Sequence, residues 1–285
     1  MIRPEMSLSE YEIWRELVSQ RCGLYFTPSR RHFLQARLWE RMQIHQFKRY
    51  NEYYHYVLYN PHGSREWAQL LDLLLNNESS FFRHTPSFAA LTDHVLPAVM
   101  QEKRQQRLNM LSMWSAGCAN GQEAYSLAMA FHEAVRPDEA RLWQAKVWGS
   151  DISQKSLRKA KNGRYKPYDV RTMPEGFRRK YMTVTENGRN TFYDVVPAVK
   201  RLVQFVELNF TKPEEYWITG QDIIFCQNVL IYFQRAERLE IVERLCKRLA
   251  PGGYLFLAPA EVVGLKIPGI KPVKFEESLV YQRVG

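Results

Sequence analysis

Long apolar runs are missing from this 285-residue chain, and no stretch approaches the roughly 18–20 residues that a membrane-spanning helix needs. The opening MIRPEMSLSE is too polar for a secretory signal. Cysteine is scarce: Cys22, Cys118, Cys226 and Cys246 lie scattered without a CxxC pair, which argues against a zinc site or a disulfide framework. The expected compartment is therefore cytoplasmic, and no metal is expected. Neither GxGxxG nor GK[ST] occurs after a strand, which disfavours mononucleotide phosphate sites. No Ser-His-Asp or Cys-His arrangement for nucleophilic catalysis is evident, and no internal repeat or low-complexity segment stands out.

What is present describes an ordinary globular protein, 45% hydrophobic and 25% charged, long enough for one large or two ordinary domains. Its formal charge of +10 suits an acidic partner, whether nucleic acid, anionic membrane or acidic protein surface, and does not choose among them.

The first 75 or so residues carry helical periodicity. Ser9 and Glu12 have capping-box spacing, with Ile13, Trp14, Leu17 and Val18 on one face beyond them. Cys22-Gly23 ends this helix and Thr27-Pro28 starts the next. The stretch 28–49 sets Arg30, Arg31, Arg37, Arg41, Lys48 and Arg49 against Glu40 alone. At about 100° per residue, Arg30, Arg37, Arg41 and Lys48 form a narrow stripe beside Leu34, Leu38 and Met42. Such a stripe reads either as a solvated face or as a substrate-binding edge for an acidic partner. Two further helical patterns cover 50–59 and 64–75.

From about residue 86 strands and helices alternate. Strand patterns at 109–116, 145–151 and 221–228 are each followed by a helix, at 122–135, 153–163 and 234–250, and PGG opens the strand YLFLAPA. Repeated β-α-β units imply a doubly wound, mostly parallel α/β sheet with ligands at the carboxyl ends of its strands. NTFYDVVPAV and RLVQFVEL read as extra strands, a small inserted β-subdomain around 185–207. The expected organisation is an all-helical domain with linker over 1–85 and a second domain over 86–285.

Three strand ends carry chemistry. SAGCANGQEAYS is a strand–glycine loop–helix junction where Gly117 and Gly121 permit close backbone approach. Asp151 ends the second strand, where an acid accepts ribose hydroxyls in such folds, or else caps the following helix. Asn228 is a turn former or a ligand contact.

Four blocks together resemble the chemotaxis-receptor glutamate methyltransferases of the CheR type, in the order found there: NNESSFFRH (76–84), WSAGCANGQEAYSLAM (114–129), VWGSDIS (147–153) and DIIFCQNVLIYF (222–233). The resemblance spans essentially the whole chain. It implies a class I methyltransferase domain using S-adenosylmethionine and releasing S-adenosylhomocysteine. By matching position it implies that Asn77, Ser79, Arg83, Gly117, Glu123, Asp151, Asn209, Phe210, Asn228 and Val229 line the cofactor site. Arg83 and Tyr232 would stand nearest the transferred methyl and serve as catalytic residues. The implied partner is the cytoplasmic methylation helices of a transmembrane chemoreceptor, met by a monomer without membrane insertion.

The residue types suit that chemistry. A glutamate carboxylate is already ionised near neutral pH and needs no general base, whereas an arginine fork can hold it in line. Alternatively, Arg83 only pairs with Glu78 or Glu123, and Tyr232 packs in the core between Ile231 and Phe233. Gln122 and His84 depart from the family pattern, which has acids there; His84 reads as structural. NGRNTFYD lacks the extended glycine-rich turn of members that dock a receptor's C-terminal pentapeptide, a trait similar to PilK-type members of pilus chemosensory systems. Two rivals remain in outline. A nucleic-acid methyltransferase would suit the basic charge, but NVLIY has no NPPY-like turn. A non-catalytic cofactor-binding adaptor would not need the full residue set.

Overall fold

The computed structural model describes residues 3–258, 261, 267–275 and 277–284. Four helices form the amino-terminal unit: α1 (Leu8–Cys22), α2 (Arg31–Ile44), α3 (Tyr50–Tyr59) and α4 (Gly63–Leu74). Their inner faces build one aromatic-rich core in which Trp14 stacks on Tyr53, ring centroids 5.3 Å apart.

The capping box of α1 is Ser7 with Glu10 rather than Ser9 with Glu12. Both pairs have the required spacing, and the inner stripe runs through Tyr11, Trp14 and Val18. Tyr11 donates from its hydroxyl to the Phe26 carbonyl (3.0 Å). Ile13, expected on the buried face, is 43% exposed.

The basic stripe of α2 is also corrected. The helix ends at Ile44, so Lys48 lies in the connection to α3. Arg41 turns inward, donating from Nε and Nη2 to the Glu66 carboxylate on α4 (2.8 and 2.7 Å). The compensating acid comes from a different helix, so angular position along α2 could not reveal it. Arg37 pairs with Glu40 and lies over the Phe33 ring, and Arg30 stacks over Phe26 and Phe33.

After the loop 76–84, α5 (Thr85–Ala90) and α6 (Leu96–Gln105) flank a π-helical turn. Then follow β1 (Met110–Ala116), α7 (Gln122–Ala134), β2 (Gln144–Asp151) and α8 (Gln154–Asn162). An excursion comprises β3 (Arg164–Tyr165), α9 (Glu175–Tyr181), β4 (Met182–Asn187), β5 (Asn190–Val195) and α10 (Pro197–Lys200). The chain then returns through β6 (Val203–Glu207), β7 (Gln221–Cys226), α11 (Arg235–Arg248), β8 (Leu249–Leu257), β9 (Ile270–Phe275) and β10 (Ser278–Arg283).

Seven strands make the central sheet, in the order β6-β2-β1-β7-β8-β10-β9. The first five are mutually parallel, and β10 runs antiparallel to both neighbours. Chain order reverses between β1 and β7, which opens a crevice at the carboxyl ends of those strands. Buried apolar clusters cover both faces of the sheet, as a doubly wound sheet requires.

A separate sheet, ordered β3-β5-β4, spans 164–195. It begins earlier than the 185–207 expected, and RLVQFVEL supplies β6 of the central sheet. Both segments alternate in the same way, so local pattern could not separate them. The pairing of β6 with β2 places it in the central sheet, and Gly149 on β2 leaves room for the Phe205 ring, whose Cδ1 would lie 2.6 Å from a Cβ there. The turn joining β4 to β5 is tight, with Asn187 paired to Asn190. Among the described residues no helix is long and apolar enough to cross a membrane.

Candidate active site

The crevice between β1 and β7 opens into a cleft. It gathers Asn77, Ser79 and Arg83 from the interdomain loop with Gly117 and Glu123 from the β1–α7 junction. Asp151, Asn209, Phe210, Asn228, Val229 and Tyr232 complete the wall, and Cys22 and Leu24 of the helical unit close one end. Arg30, Arg37, Arg41 and Lys48 are absent from this lining.

The glycine junction is shaped for contact. Gly117 has φ 84°, and a Cβ there would lie 2.4 Å from Val229 Cγ2. Its N–H and that of Cys118 both donate to the Ser150 carbonyl (2.8 Å each). Asp151 does not cap α8; Ser153 does. The Asp151 carboxylate instead joins two loops, accepting from Ala119 N (2.8 Å) and Ser153 N (2.9 Å). Burial pushes its carboxyl up, against the pull of these backbone donors.

Glu123, in the first turn of α7, accepts one side-chain hydrogen bond, from Ser115 Oγ at 2.7 Å. Burial pushes its carboxyl up to about 7, with Ser115 and the Arg83 charge pulling the other way. A recessed carboxylate with so few donors has spare capacity for a cationic ligand group.

The loop NNESSFFRH has no regular secondary structure, so its backbone groups must find partners elsewhere. Side chains supply them. The carbonyls of Asn76, Asn77, Glu78 and Ser79 accept from Tyr232 Oη (3.3 Å), Asn120 Nδ2 (2.9 Å), Arg83 Nη1 (3.0 Å) and Gln122 Nε2 (3.2 Å). Phe82, at φ 51°, donates its N–H to Ser126 Oγ (3.1 Å). Its ring packs edge-on against Phe88 and Phe177, and Phe81 is fully buried. The two phenylalanines are thus the anchor that a loop without a ladder needs, and Arg83 projects from it, exposed. Arg83 forms no ion pair with Glu78 or Glu123 among the described residues. His84 accepts from Ser87 N through Nδ1 (3.2 Å) and caps α5.

Tyr232 is half-buried at the cleft edge; its neighbour Ile231 is 48% exposed while Phe233 is buried. Burial pushes its phenol up, opposed chiefly by the Arg83 charge. Asn209 lines the cleft, but its amide is committed: Nδ2 donates to the Arg21 carbonyl (2.7 Å), and Oδ1 accepts from Thr211 N and Oγ1. It docks the helical unit at the end of α1. At this junction a Cβ on Gly23 would lie 2.5 Å from Phe233 Cε1, and Tyr25 N donates to the Tyr232 carbonyl (2.8 Å).

Glu261 escaped the sequence reading. Its buried carboxylate accepts from Ala258 N, Asn228 N and Ile231 N at 3.2–3.3 Å, holding the turn in which Asn228 has φ 61°. The rule that exposed Asp151, an acid just past the carboxyl end of a buried strand, would have found it. Asn120 and Gln122, which hold the loop carrying Arg83, announce themselves by no motif of their own.

A parallel sheet with its switch point at this cleft, a glycine junction after β1 and an acid closing β2 define a class I methyltransferase. The chain belongs to the CheR methyltransferase family: its SAM-binding domain matches residues 77–275, and its all-alpha domain matches 9–75. Chemotaxis protein methyltransferase Cher2 of Pseudomonas putida is 31% identical over 276 residues, covering 96% of this chain and 97% of the relative. Chemotaxis protein methyltransferase 1 of Pseudomonas aeruginosa is 30% identical over 280 residues, covering 96% and 97%. The enzyme of Escherichia coli is 30% identical over 248 residues, covering 86% and 82%.

The cofactor is S-adenosylmethionine. The cleft fits it on structural grounds: Glu123 offers a carboxylate with spare capacity, Asp151 stands at the end of β2, and Gly117 leaves room where any side chain would strike Val229.

Proposed function

We propose that the chain methylates glutamate side-chain carboxylates of a chemoreceptor, forming methyl esters. The observation that carries this reading is the Arg83 guanidinium: exposed at the cleft, held from behind by the Glu78 carbonyl and free of any carboxylate partner among the described residues. A planar fork in that position suits a visiting carboxylate.

S-adenosylmethionine supplies an electrophilic methyl group on a sulfonium. The side chains around it have positional work to do. Arg83 grips the substrate carboxylate and aims one oxygen into the cleft. Glu123 and Asp151 hold the cationic and hydroxyl-bearing ends of the cofactor. Asn120, Gln122 and Tyr232 keep the Arg83 loop in register by tying down its carbonyls. No proton has to be removed, because the substrate carboxyl is ionised near neutral pH. Orientation of this kind contributes up to roughly 7–11 kcal/mol in the best intramolecular cases.

The test is direct. The enzyme is incubated with methyl-labelled cofactor and membranes bearing chemoreceptors, and the protein is treated with alkali. Volatile label on receptor is expected, since esters hydrolyse. Alkali-stable label, or label in nucleic acid with none on receptor, would reverse the conclusion.

A further inference from the structure

The turn that follows β7 faces the cleft with Asn228, Val229 and Tyr232. Asn228 holds φ 61°, a conformation that a residue other than glycine keeps only where its surroundings impose it. Leu230–Tyr232 then make one short helical turn. Two neighbouring loops lean on the same segment. Val229 occupies the space that a side chain at Gly117 would need. Tyr232 Oη reaches the Asn76 carbonyl (3.3 Å), at the head of the loop that bears Arg83.

One side chain holds this turn from behind. Glu261 is 4% exposed and, unlike Glu123 and Asp151, does not line the cleft. Its Oε2 accepts from Asn228 N and Ala258 N (3.2 Å each), and its Oε1 accepts from Ile231 N (3.3 Å). A single carboxylate thus joins the end of β8 to two points of the turn after β7. The Ile231 N–H lies in the first turn of its short helix, where no partner exists within the helix itself.

The chemistry of this joint calls for a carboxylate. Its two oxygens both accept and neither donates when ionised, so all three N–H groups are satisfied. An amide of the same size would set an NH2 group against at least one of them, whichever way it was turned. A buried N–H left without an acceptor is costly. Burial pushes the Glu261 carboxyl up, and the backbone donors pull the other way.

We propose that Glu261 is a positioning residue for the cofactor: its carboxylate fixes the turn 228–232, and through that turn it sets how tightly S-adenosylmethionine and its product are held. Glu261 itself touches no reacting atom. The role does not depend on which group accepts the methyl.

The test measures S-adenosylhomocysteine affinity by calorimetry in the wild type, Glu261→Gln and Glu261→Asp, with urea denaturation as a separate reading of stability. Glu66→Gln is the comparison, because Glu66 is an equally buried carboxylate that joins helices outside the cleft. Glu261→Gln should bind at least about fivefold more weakly, the loss expected when a buried donor goes unpaired. Glu66→Gln should lose stability while its affinity stays within about twofold of wild type, since distant sites act independently. Glu261→Asp keeps the charge but draws it back by one methylene, and its affinity should fall between those of the wild type and Glu261→Gln. A loss of less than about fivefold in folded Glu261→Gln would overturn the proposal. So would an equal loss in Glu66→Gln, which would make affinity a consequence of stability alone. If Glu261→Gln does not fold, Glu261→Asp decides: binding more than about twofold weaker supports the proposal, and binding closer to wild type overturns it. No methyl acceptor is present in this assay, so its failure and a failure of glutamate methylation are separate results.

Discussion

Glu66 and Glu123 are the same residue buried in two different ways. In the helical unit, Glu66 accepts from Arg41 twice, from Tyr53 Oη and from His45 Nε2, all within 2.8 Å. Burial alone would raise its carboxyl, but Arg41, Tyr53 and His45 outweigh it and hold the group below the usual range. In the cleft, Glu123 receives one side-chain donor, and burial pushes it up to about 7. A carboxylate whose lone pairs are filled is a structural joint; one left short can still accept further donors.

The comparison fixes opposite pH signs. Glu66 titrates lower in the folded than in the unfolded chain. Its stabilisation is therefore full above about pH 4.5 and is lost as pH falls through the folded value. Glu123 titrates higher when folded, so without cofactor it makes the fold less stable as pH rises from about 4.5 to 7.

The largest effect falls on the joint. Glu66→Ala leaves Arg41 buried without its partner and should cost about 3–5 kcal/mol of stability, read by urea denaturation. A loss below about 1 kcal/mol would mean that the cluster holds nothing together. Next comes Arg83→Ala, which should slow methyl transfer by about a hundredfold, equivalent to about 2.7 kcal/mol. S-adenosylhomocysteine affinity should stay within a few fold; unchanged turnover would remove Arg83 from its role.

Glu123 sharpens the contrast more gently. A cationic ligand favours the ionised carboxylate, so wild-type cofactor affinity should rise about tenfold between pH 6 and 8. Glu123→Gln should flatten that slope in calorimetric titrations, and a slope surviving the substitution would assign it to another group. The smallest change is Tyr232→Phe, which removes the hydroxyl from the Asn76 carbonyl and should cost about 0.5–1.5 kcal/mol in turnover, a few fold. A drop as deep as that of Arg83→Ala would make Tyr232 a direct participant in the chemistry.

Much of this was legible in order along the chain. The βαβ grammar, the glycine junction, Asp151 and the FFR loop all announce themselves through spacing, because each is specified by neighbours only a few residues away. Other features were misread for a common reason. Arg41 looked outward because its acid lies on α4; β6 looked like part of the insertion because the strand it pairs with, β2, lies on the far side of that insertion in the chain. Asn209 lines the cleft, and the further work of its amide, docking α1, was not visible in the sequence. In each case the deciding partner stands far away in sequence, across an interface that periodicity cannot see.

By itself, then, the sequence determined the two kinds of architecture, the strand ends that carry chemistry and the identity of the loop that holds Arg83. These follow from local periodicity, turn residues and short-range spacing. Only the tertiary structure decided which buried carboxylates are satisfied and which cations have a carboxylate partner. Each of those depends on how groups far apart in the chain are brought together, and electrostatic and hydrogen-bond energies follow their separation, alignment and burial.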